Sequence, residues 1–168
     1  MNTQPPGKNK APWGKKGEYL VALQFLLLIT FIVIPVYPSS SSVELFKLAT
    51  FIRFAVLDVC WVIAILFGTT GLYQIKHSLT PLPYPVERNK LETKGIFALV
   101  RHPLYSSQLF AAFGWTVFQM SVSHFLLTAA GFLFFSYKAS LEESWLTERH
   151  PEYTDYARHV NKFIPWVY

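Results

Sequence analysis

Tyr19 to Tyr37 reads YLVALQFLLLITFIVIPVY, 19 residues without one charged side chain. Wound into a helix at 1.5 Å per residue, the run reaches about 28 Å, close to the hydrocarbon thickness of a bilayer. A secretory leader is the competing reading, because a basic stretch precedes and small residues follow. A leader's apolar core runs about 7–15 residues and ends in an A-x-A-like cleavage site. This run is longer and has no such site, so it is expected to remain as a first span. The Pro/Gly/Lys-rich residues 1–18 before it are expected to form a disordered tail.

The rest of the chain repeats the pattern. Of its 168 residues, 52% are apolar and only 15% charged, against roughly 25% charged in soluble domains. A second apolar block, about Phe46 to Tyr73, holds Arg53 and Asp58, and Leu104 to Tyr137 is apolar apart from a break near QMSVSH at 119–124. The fold class expected is an all-α integral membrane protein. Four spans are predicted, at about 19–37, 54–73, 103–119 and 122–138, the last two forming a tight hairpin. They make a single membrane domain over 19–168, followed by a C-terminal amphipathic helical segment.

Arg53 is expected to snorkel at the membrane rim. Asp58, one and a half turns deeper, is either functional or engaged in helix packing or with Arg53. Gly114, Gly131 and the GTTG at 68–71 offer sites of close helix approach. The single cysteine, Cys60, reads as a small buried hydrophobe.

Four spans put both termini on one side with the polar 74–101 loop. Of the lysines and arginines, Lys47 and Arg53 alone fall on the other side. The positive-inside rule therefore predicts cytoplasmic termini. The formal charge of +5 is attributed to this bias and to the bilayer as partner, since no nucleic-acid-binding pattern surrounds the basic residues. No Cys/His cluster has metal-ligand spacing.

Two polar constellations interrupt this apolar chain. The first is GIFALVRHPLY at 95–105, at the entrance to the third span. Pro103 suits the first turn of a helix, but an arginine at a helix N-terminus opposes the dipole, so a start signal alone does not account for Arg101. The second is YKASLEESWLTERHPEYTDYARHV, after the fourth span. Lys138 and Glu142 share a helix face, and Tyr153, Tyr156 and Val160 fit an i, i+3, i+7 stripe. That segment reads alternatively as an amphipathic helix lying on the membrane. A hairpin brings its ends together, so Arg101, His102 and Tyr105 should face Lys138, Glu142 and Glu143 across one cytoplasm-facing pocket. Such a pocket suits a charged, ring-bearing molecule.

GIFALVRHPLY, an apolar hairpin, K-x-x-x-E-E-x-x-L at 138–146 and E-Y-x-x-Y at 152–156 together resemble the isoprenylcysteine carboxyl methyltransferase family, whose wider group includes membrane phospholipid methyltransferases. The similarity covers residues 89–168. The resemblance implies an enzyme that uses S-adenosylmethionine as methyl donor, bound by that region. His102, Pro103, Leu104 and Tyr105 match the family's cofactor-contacting stretch. Leu91 matches part of the preceding cofactor loop, and Phe97 stands where relatives often have tyrosine. Glu142 matches a glutamate near the cofactor. Lys138 stands where the family has a substrate-associated arginine, and it lacks the planar fork suited to a carboxylate. Asn89 stands where carboxyl methyltransferases can have histidine.

Arg101, Lys138 and Glu142 are thus the catalytic candidates. Glu142 or Glu143 would balance the donor's charge, Tyr105 would contact the adenine or a cation, and Lys138 would hold an anionic acceptor. A sulfonium donor is already activated, so the protein must chiefly align the reactants and exclude water. The implied acceptor is lipid-like or prenylated, and carboxylate, amine and thiol nucleophiles all stay open. Two other classes share this pattern: a nicotinamide-dependent membrane reductase and a non-enzymatic accessory protein of the same fold.

Overall fold

The computed structural model describes residues 17–37, 47, 49–76 and 91–168. The regular elements among the described residues are all helices, joined by turns and extended segments. Residues 1–16 of the expected tail and most of the polar loop, Asn89 included, lie outside the described residues.

Helix α1, Glu18–Val33, follows Gly17 in the left-handed region at φ 78° and carries Glu18 in its first turn, where a carboxylate suits the helix dipole. It stops before the expected boundary at 37. Ile34 precedes Pro35 and adopts ψ 135°, as the proline ring forces on the residue before it. Helix α2, Thr50–Ile75, has 26 residues, and its most apolar 18-residue stretch has a mean hydropathy of 2.2. Among the described residues it is the one helix both long and apolar enough to cross a membrane, while α1 is apolar but shorter. Phe25, Leu26, Ile29 and Ile32 of α1, and Phe51, Val62 and Ile65 of α2, are exposed. Apolar faces this extensive suit lipid rather than water.

A short 3₁₀ turn, Gly95–Ala98, leads to α3, Pro103–Gln119, with Pro103 in its first turn. Met120 ends α3 in the left-handed region (φ 47°), its N–H bonded back to Thr116 and Val117. Ser121 then caps α4, Val122–Arg149, by accepting from the His124 N–H. The break expected near 119–124 is this two-residue turn.

Helix α4 does not end near 138. It continues to Arg149 because ASLEESWLTER is rich in good helix formers, and it stops at His150, which precedes Pro151. The expected amphipathic segment is correspondingly reduced to α5, Tyr153–His159. Val160 is extended (φ −118°, ψ 130°) and does not continue the helical stripe.

The closest packing is between α2 and α3. A Cβ at Gly114 would come within 2.8 Å of the Cys60 Cβ, and one at Gly71 within 3.1 Å of Pro103. Gly131 has nothing within 4 Å of its would-be Cβ, so it does not serve close approach and instead borders a cavity. Arg53 does not snorkel either. It is buried, donates Nε to the Phe118 carbonyl at 2.7 Å and lies over the Phe118 ring, satisfying an orphan carbonyl in the last turn of α3. Asp58 lies on the exposed side of α2. At the other end, Phe135, Ala139 and Phe163 form a core with Tyr105 and Leu109 packed on it.

Candidate active site

The polar tripeptide before α3 is held by backbone. Gly95 sits at φ 58°, and a Cβ there would fall 1.9 Å from the Gln74 amide nitrogen, so no other residue fits without displacing that side chain. Gln74 in turn accepts from the Ile96 N–H at 3.2 Å, tying the 3₁₀ turn to α2. The chain beyond α5 then returns alongside. Val100 bridges Asn161 in parallel register, the Arg101 N–H donates to Asn161 O at 2.8 Å, and the His102 N–H donates to Lys162 O at 3.1 Å.

Their side chains meet α4. Arg101 Nε donates to Glu143 Oε1 at 2.8 Å, and Arg101 Nη1 donates to the carbonyls of Ala157 and Val160. His102 Nε2 lies 2.9 Å from the same Glu143 oxygen, and Lys162 Nζ lies 3.3 Å from Glu143 Oε2. Burial pushes the Glu143 carboxyl up, but hydrogen bonds from His102 and Arg101 and their charges outweigh it, leaving it at about 2.

Glu142, one residue earlier, is treated differently. Tyr105 donates its hydroxyl to Oε1 at 2.5 Å, while Oε2 is 3.5 Å from His102 Nδ1. Burial dominates here and raises the carboxyl above its ordinary value, despite the opposing pull of His102, Tyr105 and Lys138. The Tyr105 ring stacks between His102, at 5.6 Å and 11°, and Phe135, at 4.9 Å and 19°. Lys138 Nζ lies 5.1 Å from the centre of the Tyr105 ring and donates to Gln24 Oε1 of α1 at 2.6 Å.

Arg101, His102, Tyr105, Lys138, Glu142 and Glu143 therefore share one cluster. Leu91 and Phe97 lie on its flank, where they line a cavity of about 100 Å³ with Arg101, Leu146, Tyr153 and Tyr156. Tyr156 donates its hydroxyl to the Phe97 carbonyl at 2.5 Å, and burial raises its hydroxyl to about 12. Pro103 and Leu104 point elsewhere, packing against α2 at Gly71.

The model of the phospholipid methyltransferase family matches residues 52–153, from the start of α2 to the start of α5. The chain belongs to the phospholipid methyltransferase family. Membership implies a membrane methyltransferase, in keeping with the apolar α2. No curated protein matches the chain. The match takes in Arg101, His102, Tyr105, Lys138, Glu142 and Glu143, whereas Gln24 and Lys162 reach the cluster from outside it.

Those two residues escape a reading of the sequence. Lys162 stands in a basic tail that looks like ordinary surface. Gln24 had a detectable signal, as the one amide in the otherwise apolar run from Tyr19 to Val33, but its partner is 114 residues away.

Proposed function

We propose that this family member transfers a methyl group from S-adenosylmethionine to a nucleophile on a lipophilic acceptor, at the cytoplasmic face of a four-span fold. The observation that carries the reading is the contrast at Glu142. Its carboxylate is buried and raised by burial, yet no lysine or arginine lies within ion-pair distance of it among the described residues. A buried carboxylate without a full counter-cation favours a cationic ligand. S-adenosylmethionine carries two such groups, a sulfonium and an ammonium, so the donor set fits it.

Glu142 would hold a cationic end of the donor, and the Leu91 and Phe97 wall would take its apolar or ring surface. When bound, S-adenosylmethionine supplies a methyl group on a positively charged sulfur, already activated for transfer. The chain's own residues then bind, orient and exclude water. Glu143 fixes Arg101 and His102, and so fixes the position of α3 relative to α4. Tyr105 keeps the Glu142 carboxylate in one orientation through its 2.5 Å bond. His102 presents Nδ1 to Glu142 while Nε2 is engaged by Glu143, so its ring cannot swing. Both termini facing the cytoplasm fits the distribution of Lys and Arg.

Calorimetric titration of the detergent-solubilised protein tests this. Saturable binding of S-adenosylmethionine, and none of NADPH, is expected. Saturable NADPH binding with no response to S-adenosylmethionine would overturn the proposal.

A further inference from the structure

Helix α2 has two unlike sides. Its buried residues, Arg53, Cys60, Phe67 and Gly71, meet Phe118, Gly114, Phe110 and Pro103 of α3. At about 100° per residue, Asp58 lies about 160–180° around the helix from Cys60 and Phe67. It is exposed, and it shares its side of α2 with Phe51, Val62, Ile65 and Thr69, all exposed as well. Asp58 is also deep. Wound over Thr50–Ile75, α2 reaches about 39 Å and holds Asp58 about 7 Å from its midpoint. In a centred span that is well inside a hydrocarbon layer of about 30 Å.

A polar side chain on a lipid-facing helix can close on its own backbone, and Thr69 does so. Its hydroxyl donates to the Ile65 carbonyl at 2.7 Å. An ionised carboxylate has no such escape, because it only accepts and the amide hydrogens of a helix interior already bond within the helix. Among the described residues no hydrogen bond or ion pair reaches Asp58. Arg53, about 7 Å along the axis, is turned the other way, to the Phe118 carbonyl. Asp58 also has a single methylene, so its charge does not reach the membrane rim as a lysine or arginine stem would. A lone carboxylate in hydrocarbon is costly, and a cation from a neighbouring helix relieves it.

We propose that the outward side of α2, through Phe51, Asp58, Val62 and Ile65, docks a transmembrane helix of another protein that carries a lysine or arginine at the depth of Asp58. Charge complementarity names the occupant. The face offers one unpaired negative charge within an apolar stripe, and its complement is one positive charge within an apolar stripe. A second copy meeting through the same face would set Asp58 against Asp58, two like charges in a medium that screens them poorly. Asp58 makes no bond to the Glu142 cluster, so the docking does not depend on methyl transfer.

The test uses the full chain, carrying a donor fluorophore, in phosphatidylcholine vesicles with synthetic leucine-rich transmembrane peptides about 23 residues long. One peptide has a single lysine about four residues from its centre, a second has glutamate there and a third leucine, and each carries an acceptor fluorophore. Saturable energy transfer to the lysine peptide is expected at concentrations about tenfold or more below those at which the other two respond. Asp58→Leu should erase that preference and Asp58→Asn should weaken it, with the melting temperature of both at or above that of the parent. Equal transfer to all three peptides, transfer to none, or an unchanged lysine preference in folded Asp58→Leu would overturn the proposal. Transfer between two copies of the chain that Asp58→Leu abolishes, without a lysine preference, makes a second copy the occupant and overturns it equally.

Discussion

On one side of the Glu142–Glu143 step, a carboxylate is gripped by Arg101, His102 and Lys162 and held at about 2. On the other, a carboxylate meets a tyrosine hydroxyl at 2.5 Å and a histidine nitrogen at 3.5 Å, and burial raises it. Adjacent residues on a helix point about 100° apart, so two identical side chains enter two environments. The Glu143 side is a closed brace joining α3, α4 and the C-terminal return. The Glu142 side, continuing to Lys138, holds buried charge that the described residues do not fully compensate. In the proposed reading the less compensated side is where the cationic donor binds.

Breaking the brace should have the largest effect. Arg101→Ala removes its bonds to Glu143, Ala157 and Val160 and leaves the half-buried Glu143 with His102 and Lys162 alone, a loss of about 3 kcal/mol at roughly 1 kcal/mol per bond. A large fall in melting temperature is expected, measured in detergent. Acid should attack the same brace. Because the Glu143 carboxyl is depressed in the folded state, its contribution is fully present above its ordinary value of 4.5 and is lost as pH falls toward about 2. Stability measured across that window should decline, and Glu143→Gln should flatten the decline. Glu142 has the opposite sign. Its raised carboxyl favours the fold when protonated, and that contribution is lost as pH rises through the raised folded value.

A smaller effect distinguishes packing glycines. Gly114→Ala would force a Cβ to within 2.8 Å of Cys60, an overpacking that costs about 1–3 kcal/mol. Gly131→Ala meets open space and should gain up to about 1 kcal/mol from helix propensity. Melting temperatures of the two variants should move in opposite directions.

Much of this arrangement is legible in the residues themselves. Pro103 announces the start of α3, QMSVSH announces the turn, and a hairpin of matched apolar arms implies that RHPLY faces EE. Local chemistry suffices for each. What the sequence does not disclose is pairing at long range. Arg53 looks like a rim residue until Phe118, 65 residues away, is seen to receive it. Gln24 looks like a flaw in an apolar run until Lys138 and Gln108 meet it. The extension of α4 past 138 was obscured by polarity, which marks a membrane boundary and says nothing about where a helix ends. Leu104 and Pro103 sit inside the motif yet face α2, because a helix turns its successive residues to different neighbours.

In the proposed mechanism Glu142 serves transfer and Glu143 serves the fold. A labelled-methyl assay on native membranes carrying the parent chain, Glu142→Gln or Glu143→Gln, read beside the melting temperature of each purified protein, tests it most directly. Methyl incorporation into a lipophilic product is expected for the parent. Glu142→Gln should reduce it by about 10²-fold or more with a melting temperature near that of the parent, while Glu143→Gln should lose melting temperature first. Full turnover in Glu142→Gln would contradict the account.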